Sequence, residues 1–159
     1  MKKKTHISIF INAILILAVL LFTLDSLTSF EIKNQLIKFF AYLGIIFIPL
    51  LTLINNIKRL KVSKHKMASI LFPSFVLISV FFIGPNKIIF SSRIWKTQRI
   101  LYQNRKSSFK KVEFQMQDIG ALGYNKRTVE VTYITTFFMI VNPVTKGINQ
   151  KVEWIKVDK

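Results

Sequence analysis

The chain has 159 residues, of which 51% are hydrophobic, a formal net charge of +17 and no cysteine. A chain of this length leaves room for one small folded domain outside a membrane. The lack of cysteine excludes disulfides, thiolate metal sites and cysteine nucleophiles from the functions that the protein can perform.

Three long apolar runs without charged residues occupy the first half of the chain. They extend from Ile7 to Leu24, from Phe39 to Ile57 and from Met67 to Asn86. At about 1.5 Å of rise per residue, each run spans roughly 27 to 30 Å as a helix, which matches the hydrocarbon core of a bilayer. The sequence therefore predicts an integral membrane protein with three transmembrane helices within residues 1–86. Because no A-x-A-like site follows the long first run, we expect an uncleaved anchor rather than a signal peptide.

The charges beside these runs predict an orientation. Two short segments, at the N-terminus and between the second and third runs, are basic without a nearby acid, whereas residues 25–38 hold two acidic and two basic residues. Short basic loops stay in the cytoplasm, so we expect a cytoplasmic N-terminus and an extracytoplasmic C-terminal domain. The basic residues of the short segments are Lys2, Lys3, Lys4, Lys58, Arg59, Lys61, Lys64 and Lys66. Retention of the C-terminal domain in the cytoplasm is instead favoured by four basic residues directly after the third run, namely Lys87, Arg93, Lys96 and Arg99.

Residues 87–159 differ in character, with 14 basic against 5 acidic residues. Their apolar positions recur with a period of two, which is typical of β-strands. The alternation is clearest over 112–117, weaker over 93–102, and present again over 128–133 and 152–157. The apolar stretch 137–141 is too short to span a membrane and is either a buried strand or a patch that touches lipid. We predict an α+β membrane protein, with three transmembrane helices followed by an extracytoplasmic antiparallel β-sheet domain of about four strands.

Few residues suggest chemistry. The two histidines, His6 and His65, lie among lysines with no carboxylate or serine beside them in sequence. The acids of the C-terminal domain are Glu113, Asp118, Glu130, Glu153 and Asp158. Most lie in or next to predicted strands, where pairing with Lys or Arg across the sheet is the ordinary role. We therefore predict no catalytic residue, metal site or cofactor, although two carboxylates that meet in a cleft would suit a hydrolase.

One loop stands out as a candidate interaction site. Gly120 and Gly123 lie between two predicted strands and are followed by two basic residues. Such a segment can form a backbone nest for a phosphate or carboxylate, although glycines at this spacing are also common in ordinary turns. The candidate interaction loop consists of Asp118, Gly120, Gly123, Tyr124, Asn125, Lys126 and Arg127.

Three functions are compatible with these patterns. The first is a non-catalytic protein of the cytoplasmic membrane that offers its sheet to another envelope protein or to a second copy, as an accessory subunit or an immunity-type protein. The second is binding of anionic lipid or another polyanion by the basic domain. The third is an envelope hydrolase. Membrane lipid is a partner in each case, and nucleic acid is not expected because the domain would lie outside the cytoplasm.

Overall fold

The computed structural model describes residues 2–57, 64–144 and 153–157, with the side chains of residues 2–8 and 64–68 outside this description. The chain divides into two compact units. The helical unit consists of Met1–Thr23 and Phe39–Ser92, and the sheet unit consists of Leu24–Lys38 and Arg93–Lys159. The segment between the first two helices therefore belongs to the same unit as the C-terminal residues.

In the part of the chain that the structure describes, four α-helices precede the C-terminal strands: α1 (Lys2–Leu27), α2 (Gln35–Ile57), α3 (Lys64–Ile83) and α4 (Pro85–Ser91). Two of them are long and apolar enough to cross a membrane, over Ile9–Leu27 and Gln35–Ile57. The first two apolar runs therefore form helices that could cross a membrane, which is consistent with the predicted membrane protein. The third run does not form one straight helix, because α3 and α4 meet at an angle of 83°.

The bend between α3 and α4 has a local cause in the sequence. Gly84 has a φ of 90°, a conformation that L side chains rarely adopt, and it ends α3. Pro85 then occupies the first turn of α4, where its missing N–H costs no helical hydrogen bond. The Gly-Pro pair thus stops α3, as the sequence indicates, and also starts a second short helix.

Small residues let the helices of the helical unit approach one another closely. A Cβ atom at Gly44 would lie 3.1 Å from the Cβ atom of Ala18, so this α1–α2 contact requires a residue without a side chain. Beside it, the rings of Phe22 and Tyr42 meet edge to face with centroids 5.0 Å apart. Most large apolar side chains of these helices are exposed, as expected of surfaces that face lipid; they include Phe10, Leu17, Leu51, Phe75 and Phe81.

In its described residues, the sheet unit contains one antiparallel sheet of six strands in the order β1-β5-β4-β3-β2-β6. The predicted antiparallel sheet is confirmed, but its strand number is six rather than about four. The strands are β1 (Phe30–Ile32), β2 (Lys96–Asn104), β3 (Lys110–Asp118), β4 (Tyr124–Tyr133), β5 (Phe138–Pro143) and β6 (Trp154–Lys156).

The prediction missed β1 altogether and left β5 undecided between a strand and a lipid patch. β1 has three residues, too few for an alternating pattern, and it pairs with β5 across more than a hundred residues of sequence. β4 also begins at Tyr124, four residues before the predicted strand. Of the predicted last strand, residue 152 lies outside the described residues.

One face of the sheet carries the core of this unit. Val129 and Val131 of β4 pack with Met139 and Val141 of β5, and Tyr133 packs against them. Because Val129 is the register partner of Glu113, the polar row of β3 lies on this same face. Glu113 and Gln115 are 1% and 0% exposed. The polar row that the alternation of β3 predicts is therefore buried beside the apolar core.

The position of β1 can be tested with a disulfide, because the chain has no cysteine of its own. Phe30 and Ile140 are register partners. The N–H of Val141 donates to the carbonyl of Ser29, and the N–H of Lys33 donates to the carbonyl of Phe137. Because hydrogen-bonded and non-hydrogen-bonded pairs alternate along an antiparallel ladder, Phe30 and Ile140 form a non-hydrogen-bonded pair. Such pairs have Cα atoms about 4.5 Å apart, within disulfide range. We expect the double variant Phe30→Cys/Ile140→Cys to lose both free thiols on mild oxidation, measured by alkylation and mass spectrometry.

The control combines Phe30→Cys with Thr132→Cys. Thr132 lies on β4, one strand beyond β5 as seen from β1, and is the register partner of Ile140. Neighbouring strands are about 4.8 Å apart, so the two Cα atoms of the control pair are too distant for a disulfide. Equal oxidation of the two double variants would contradict the β1–β5 register.

Candidate functional site

The carboxylate of Glu113 is an almost fully buried charged group of the sheet unit. It accepts hydrogen bonds from Thr97 Oγ1 at 2.6 Å, from Tyr133 Oη at 2.6 Å and from Gln115 Nε2 at 3.0 Å. These donors come from three neighbouring strands, β2, β3 and β4. A buried carboxylate is tolerated when donors of this kind replace the water that it loses on folding. Among the described residues, none forms an ion pair with Glu113 within 4.0 Å.

Arg127 extends this network to the edge of the sheet. Its Nη1 and Nη2 atoms donate to the two carboxylate oxygens of Glu31 at 2.7 and 2.6 Å, and its Nε and Nη2 atoms donate to Gln115 Oε1 at 3.0 and 2.8 Å. The ring of Trp95 lies 4.1 Å from the guanidinium carbon. A guanidinium has five donors in a planar fork, so it can bind both partners and stack on an aromatic ring at once. Arg127 thereby joins β4 to β1, which are not neighbours in the sheet.

Tyr133 closes the other end of the network, which consists of Glu31, Thr97, Glu113, Gln115, Arg127 and Tyr133. Burial raises the pKa of the Tyr133 phenol, and the hydrogen bond to Glu113 and the negative charge of that carboxylate raise it further. Two lysines lie near its ring, with Lys33 Nζ 4.2 Å and Lys111 Nζ 5.8 Å from the centroid. A phenol with a raised pKa remains a hydrogen-bond donor at neutral pH, so it holds the Glu113 carboxylate rather than acting as a base.

The other acids of the sheet unit are spread over separate places. Glu130 pairs with Lys110 at 2.8 Å, and Glu153 pairs with Lys106 at 2.9 Å, as the sequence predicts for acids within a basic sheet. Asp25 pairs with Lys38 at 3.0 Å where α1 ends and α2 begins. Within the described parts of the chain, no group of three or more His, Cys, Asp or Glu residues could hold a metal ion. The side chains of His6 and His65, and residue Asp158, lie outside the described residues.

The candidate interaction loop forms the hairpin between β3 and β4. Asp118 ends β3, and its carboxylate accepts a hydrogen bond from the N–H of Gly120 at 2.7 Å. Gly123 donates to the carbonyl of Gly120, and Ile119 donates to that of Gly123, both at 3.0 Å. Gly120 and Gly123 have φ values of 76° and 95°, so both turns depend on glycine. These three N–H groups are therefore engaged within the hairpin.

The remaining loop residues divide between the surface and the interior. Tyr124, Asn125 and Lys126 begin β4 and are exposed, with Asn125 donating to Gln117 at 3.3 Å. Arg127 instead points into the buried network. Arg93, which is outside the predicted loop, reaches the hairpin and donates to the carbonyl of Asp118 at 2.9 Å. The structure thus places the predicted residues in one hairpin, but the side chain of Arg127 points away from the others.

A shallow depression that the sequence did not predict lies along β2. It has a volume of about 340 Å³ and is lined by Gln98, Arg99, Leu101 and Phe114. The register of β2 against β3 shifts between Thr97 and Arg99 and again after Ile100, so Gln98 and Leu101 are the extra residues of two β-bulges. A bulge bends its strand and redirects side chains. The weak alternation of residues 93–102 is the sequence signal that these bulges leave.

Comparison of the chain with known proteins gives no family. No protein-family model matches it, and neither a curated protein nor a solved structure shows a significant match. The function must therefore be argued from the contacts, the burial and the charges of this chain.

Removal of the Glu113 carboxylate is expected to destabilise the sheet unit. Glu113→Ala removes a buried carboxylate and leaves the donors of Thr97, Gln115 and Tyr133, of which Gln115 is fully buried, without this acceptor, so we expect the free energy of unfolding to fall by about 2 to 4 kcal/mol. Both tryptophans, Trp95 and Trp154, lie in the sheet unit, so their fluorescence during denaturation in detergent measures this loss.

The matched control is Glu153→Ala, which removes a carboxylate from an exposed ion pair with Lys106. Exposed pairs of this kind contribute little to stability. A Glu113→Ala variant as stable as the Glu153→Ala variant would show that the network does not stabilise the sheet.

The raised pKa of Tyr133 predicts a loss of stability in alkaline solution. An unfolded phenol releases its proton near its ordinary pKa of about 10, before the folded one does, so stability is fully present below this pH and falls above it. We expect the unfolding midpoint to fall more steeply between about pH 9 and pH 11 in the natural protein than in Tyr133→Phe. Equal slopes for the two proteins would contradict the prediction, whatever their difference at neutral pH.

Proposed function

We propose that this chain is a non-catalytic protein of the cytoplasmic membrane, with three transmembrane passages, that presents its sheet unit outside the cytoplasm to bind another envelope protein. An accessory subunit and an immunity-type protein both fit this description. The proposal has three parts, namely the third passage, the orientation and the binding surface, and each is supported by a different observation.

The third passage is supported by the pairing of β1 with β5. β1 follows α1 and precedes α2, so it lies on the side of the membrane that the chain reaches after its first crossing. A sheet cannot pair through a bilayer, so β2 to β6 must lie on the same side as β1. If α1 and α2 both cross, then the chain between Ile57 and Arg93 has to cross once more. The bent pair α3 and α4 contains the only apolar run available there.

The orientation is supported by the distribution of charge in the sequence. The N-terminal segment and residues 58–66, which run from the end of α2 into the first turn of α3, carry eight basic residues and no acid. The connection that contains β1 is neutral, with Asp25 and Glu31 against Lys33 and Lys38. Basic connections remain in the cytoplasm, which directs β1 and the rest of the sheet unit to the opposite side.

The observation that carries the binding function is the open outer edge of β2. β6 pairs only with Tyr102, Gln103 and Asn104, and Val157 donates to the carbonyl of Leu101. In the described part of the chain, residues 96–100 have no strand beside them on this side. Their side chains from Lys96 to Arg99 are exposed. An exposed edge is a template for the addition of a strand from another protein.

The depression along β2 adds a site for a side chain of the partner. Gln98 and Leu101 line it together with Phe114, so a strand added at this edge could place an apolar side chain against Leu101 and Phe114. Lys96 and Arg99 give the same edge a positive charge. We therefore propose that the partner contributes an extended segment that carries both apolar and acidic residues.

The alternatives have less support. Binding of a polyanion is consistent with the 14 basic and 5 acidic residues after residue 86, but several of these bases pair within the unit, including Lys106, Lys110 and Arg127. A hydrolase would need two carboxylates in one cleft. Glu113 is enclosed by its three donors. Glu130 is the register partner of Val112 rather than of Glu113, so the two carboxylates lie on opposite faces of the sheet.

The proposal is tested with single cysteines in this cysteine-free chain. A membrane-impermeant maleimide applied to intact cells should label Gln98→Cys, because β2 is proposed to be outside. The same reagent should label Val62→Cys only after the cells are permeabilised. A benzophenone maleimide on the Gln98→Cys thiol should then form, on illumination, a discrete adduct with another envelope protein, measured by electrophoresis and mass spectrometry.

Thr128→Cys is the matched control for the adduct, because Thr128 is exposed on the central strand β4 rather than at an edge. Arg99→Glu should reduce the adduct if the partner segment is acidic. Labelling of Val62→Cys from outside would overturn the orientation. An adduct that contains only this protein, or equal adducts from positions 98 and 128, would overturn the binding function at the β2 edge.

A further inference from the structure

Three large apolar side chains are exposed in two loops of the sheet unit. Phe109 lies in the connection between β2 and β3 and is 66% exposed. Ile134 and Phe137 lie in the connection between β4 and β5 and are 54% and 46% exposed. Water-soluble surfaces seldom concentrate such side chains, and a cluster of them indicates a surface that another phase or molecule covers.

The two loops lie next to each other at one end of the sheet. The N–H of Tyr133 donates to the carbonyl of Phe109 at 3.0 Å, which joins the end of β4 to the β2–β3 loop. The N–H of Ile134 donates to the carbonyl of Phe138 at 3.1 Å, which closes the β4–β5 loop. Phe109, Ile134 and Phe137 therefore lie on adjoining loops, and we call these three exposed side chains together the apolar loop patch.

The apolar loop patch lies beside the start of a membrane-spanning helix. The N–H of Lys33 donates to the carbonyl of Phe137 at 2.8 Å, and α2 begins at Gln35. Two residues extend the chain by at most about 7 Å, so Phe137 lies close to the first turn of α2. Leu36 in that turn is itself 65% exposed. Exposed apolar side chains thus occur both in the loops and in the first turn of α2, whose residues Gln35 to Lys38 belong to the sheet unit.

We propose that the apolar loop patch inserts into the lipid–water interface beside α2. Lipid is favoured over a protein partner because the patch is continuous with α2, whose 23 residues rise about 34 Å and so exceed a hydrocarbon core of about 30 Å. The first turn of α2 therefore lies at the interface, at the level of the patch. Aromatic and aliphatic side chains that enter this region gain from burial in the acyl boundary.

The residues around the patch suit the headgroup region. Lys33 and Lys111 lie over the ring of Tyr133. Tyr133 is the last residue of β4, and the β4–β5 loop begins with the next residue. Lysines bury their aliphatic stems against such rings and extend their ammonium groups towards water or phosphate. This inference does not depend on the direction in which the protein crosses the membrane, nor on binding at the β2 edge.

The experiment uses the full chain in vesicles and one nitroxide label at a time. Phe109→Cys, Ile134→Cys and Phe137→Cys are labelled, and the protein is reconstituted in phosphatidylcholine vesicles with and without phosphatidylglycerol. Power saturation then compares collision of each label with oxygen, which concentrates in lipid, and with a water-soluble nickel chelate. We expect all three labels to favour oxygen several-fold over the label at Thr128→Cys in both kinds of vesicle.

Leu51→Cys, on the exposed apolar surface of α2, is the lipid-facing control. Labels in the patch that collide with the nickel chelate as readily as the Thr128→Cys label would overturn the proposal. Labels that are shielded from both reagents would also overturn it, in favour of a protein contact. An oxygen preference that disappears without phosphatidylglycerol would overturn apolar insertion in favour of headgroup electrostatics. Retained tryptophan fluorescence in each variant verifies that the sheet unit is folded.

Discussion

The pairing of β1 with β5 is the constraint on which the rest of this structure depends. Three residues between α1 and α2 become the edge of a sheet whose other strands all follow α4. Two ion pairs accompany this pairing, Glu31 with Arg127 and Asp25 with Lys38. The Asp25 carboxylate also accepts the N–H of Ile32 at 2.7 Å. Charged hydrogen bonds therefore hold the chain on both sides of β1, in addition to the backbone hydrogen bonds between β1 and β5.

The ion pairs around β1 are better understood as determinants of register than as sources of stability. Removing charges from water has a cost that the attraction between them offsets only when the geometry is good, so buried pairs contribute little net free energy. A misplaced β1 would separate Glu31 from Arg127 and the N–H of Ile32 from Asp25, which leaves largely enclosed polar groups without these partners and is expensive. The charges therefore disfavour alternative positions of a strand that is too short to specify its own register.

The buried polar network has a similar role within the sheet. The Glu113 carboxylate requires donors from β2, β3 and β4 at once, and Arg127 requires acceptors on β3 and β1. A shift of one residue in any of these strands would turn a network member to the opposite face. The same shift would turn the apolar core residues of β4 or β5 to the opposite face, so the apolar core and the polar network favour the same register.

The two surfaces proposed for binding differ in chemistry and in place. The edge of β2 offers backbone groups, positive charge and a shallow depression, which suit an extended peptide segment. The apolar loop patch offers exposed apolar side chains near the first turn of α2, a helix that is long and apolar enough to cross a membrane. Contact with the membrane at the patch would leave the β2 edge available, so the two proposals are compatible and can fail independently.

The sequence by itself determined the membrane class and most of the strands, because both depend on local patterns. Two apolar runs are long enough to cross a bilayer, and the alternation in β3 and β4 predicts strands whatever they pair with. The division between apolar and polar rows in β3 was also readable, although its burial was not. Glycines at 120 and 123 indicated a turn, and they form the tip of the β3–β4 hairpin.

Only the tertiary structure decided which of these elements meet. The inclusion of β1, the inward direction of Arg127 and the burial of Glu113 and Gln115 all depend on partners far away in sequence, Glu31 and Arg127 being 96 residues apart. A polar side chain in a strand has the same local pattern whether it meets water or a buried donor. Its burial depends on whether distant strands supply enough hydrogen bonds to replace the water, which is a property of the folded sheet and not of any one segment.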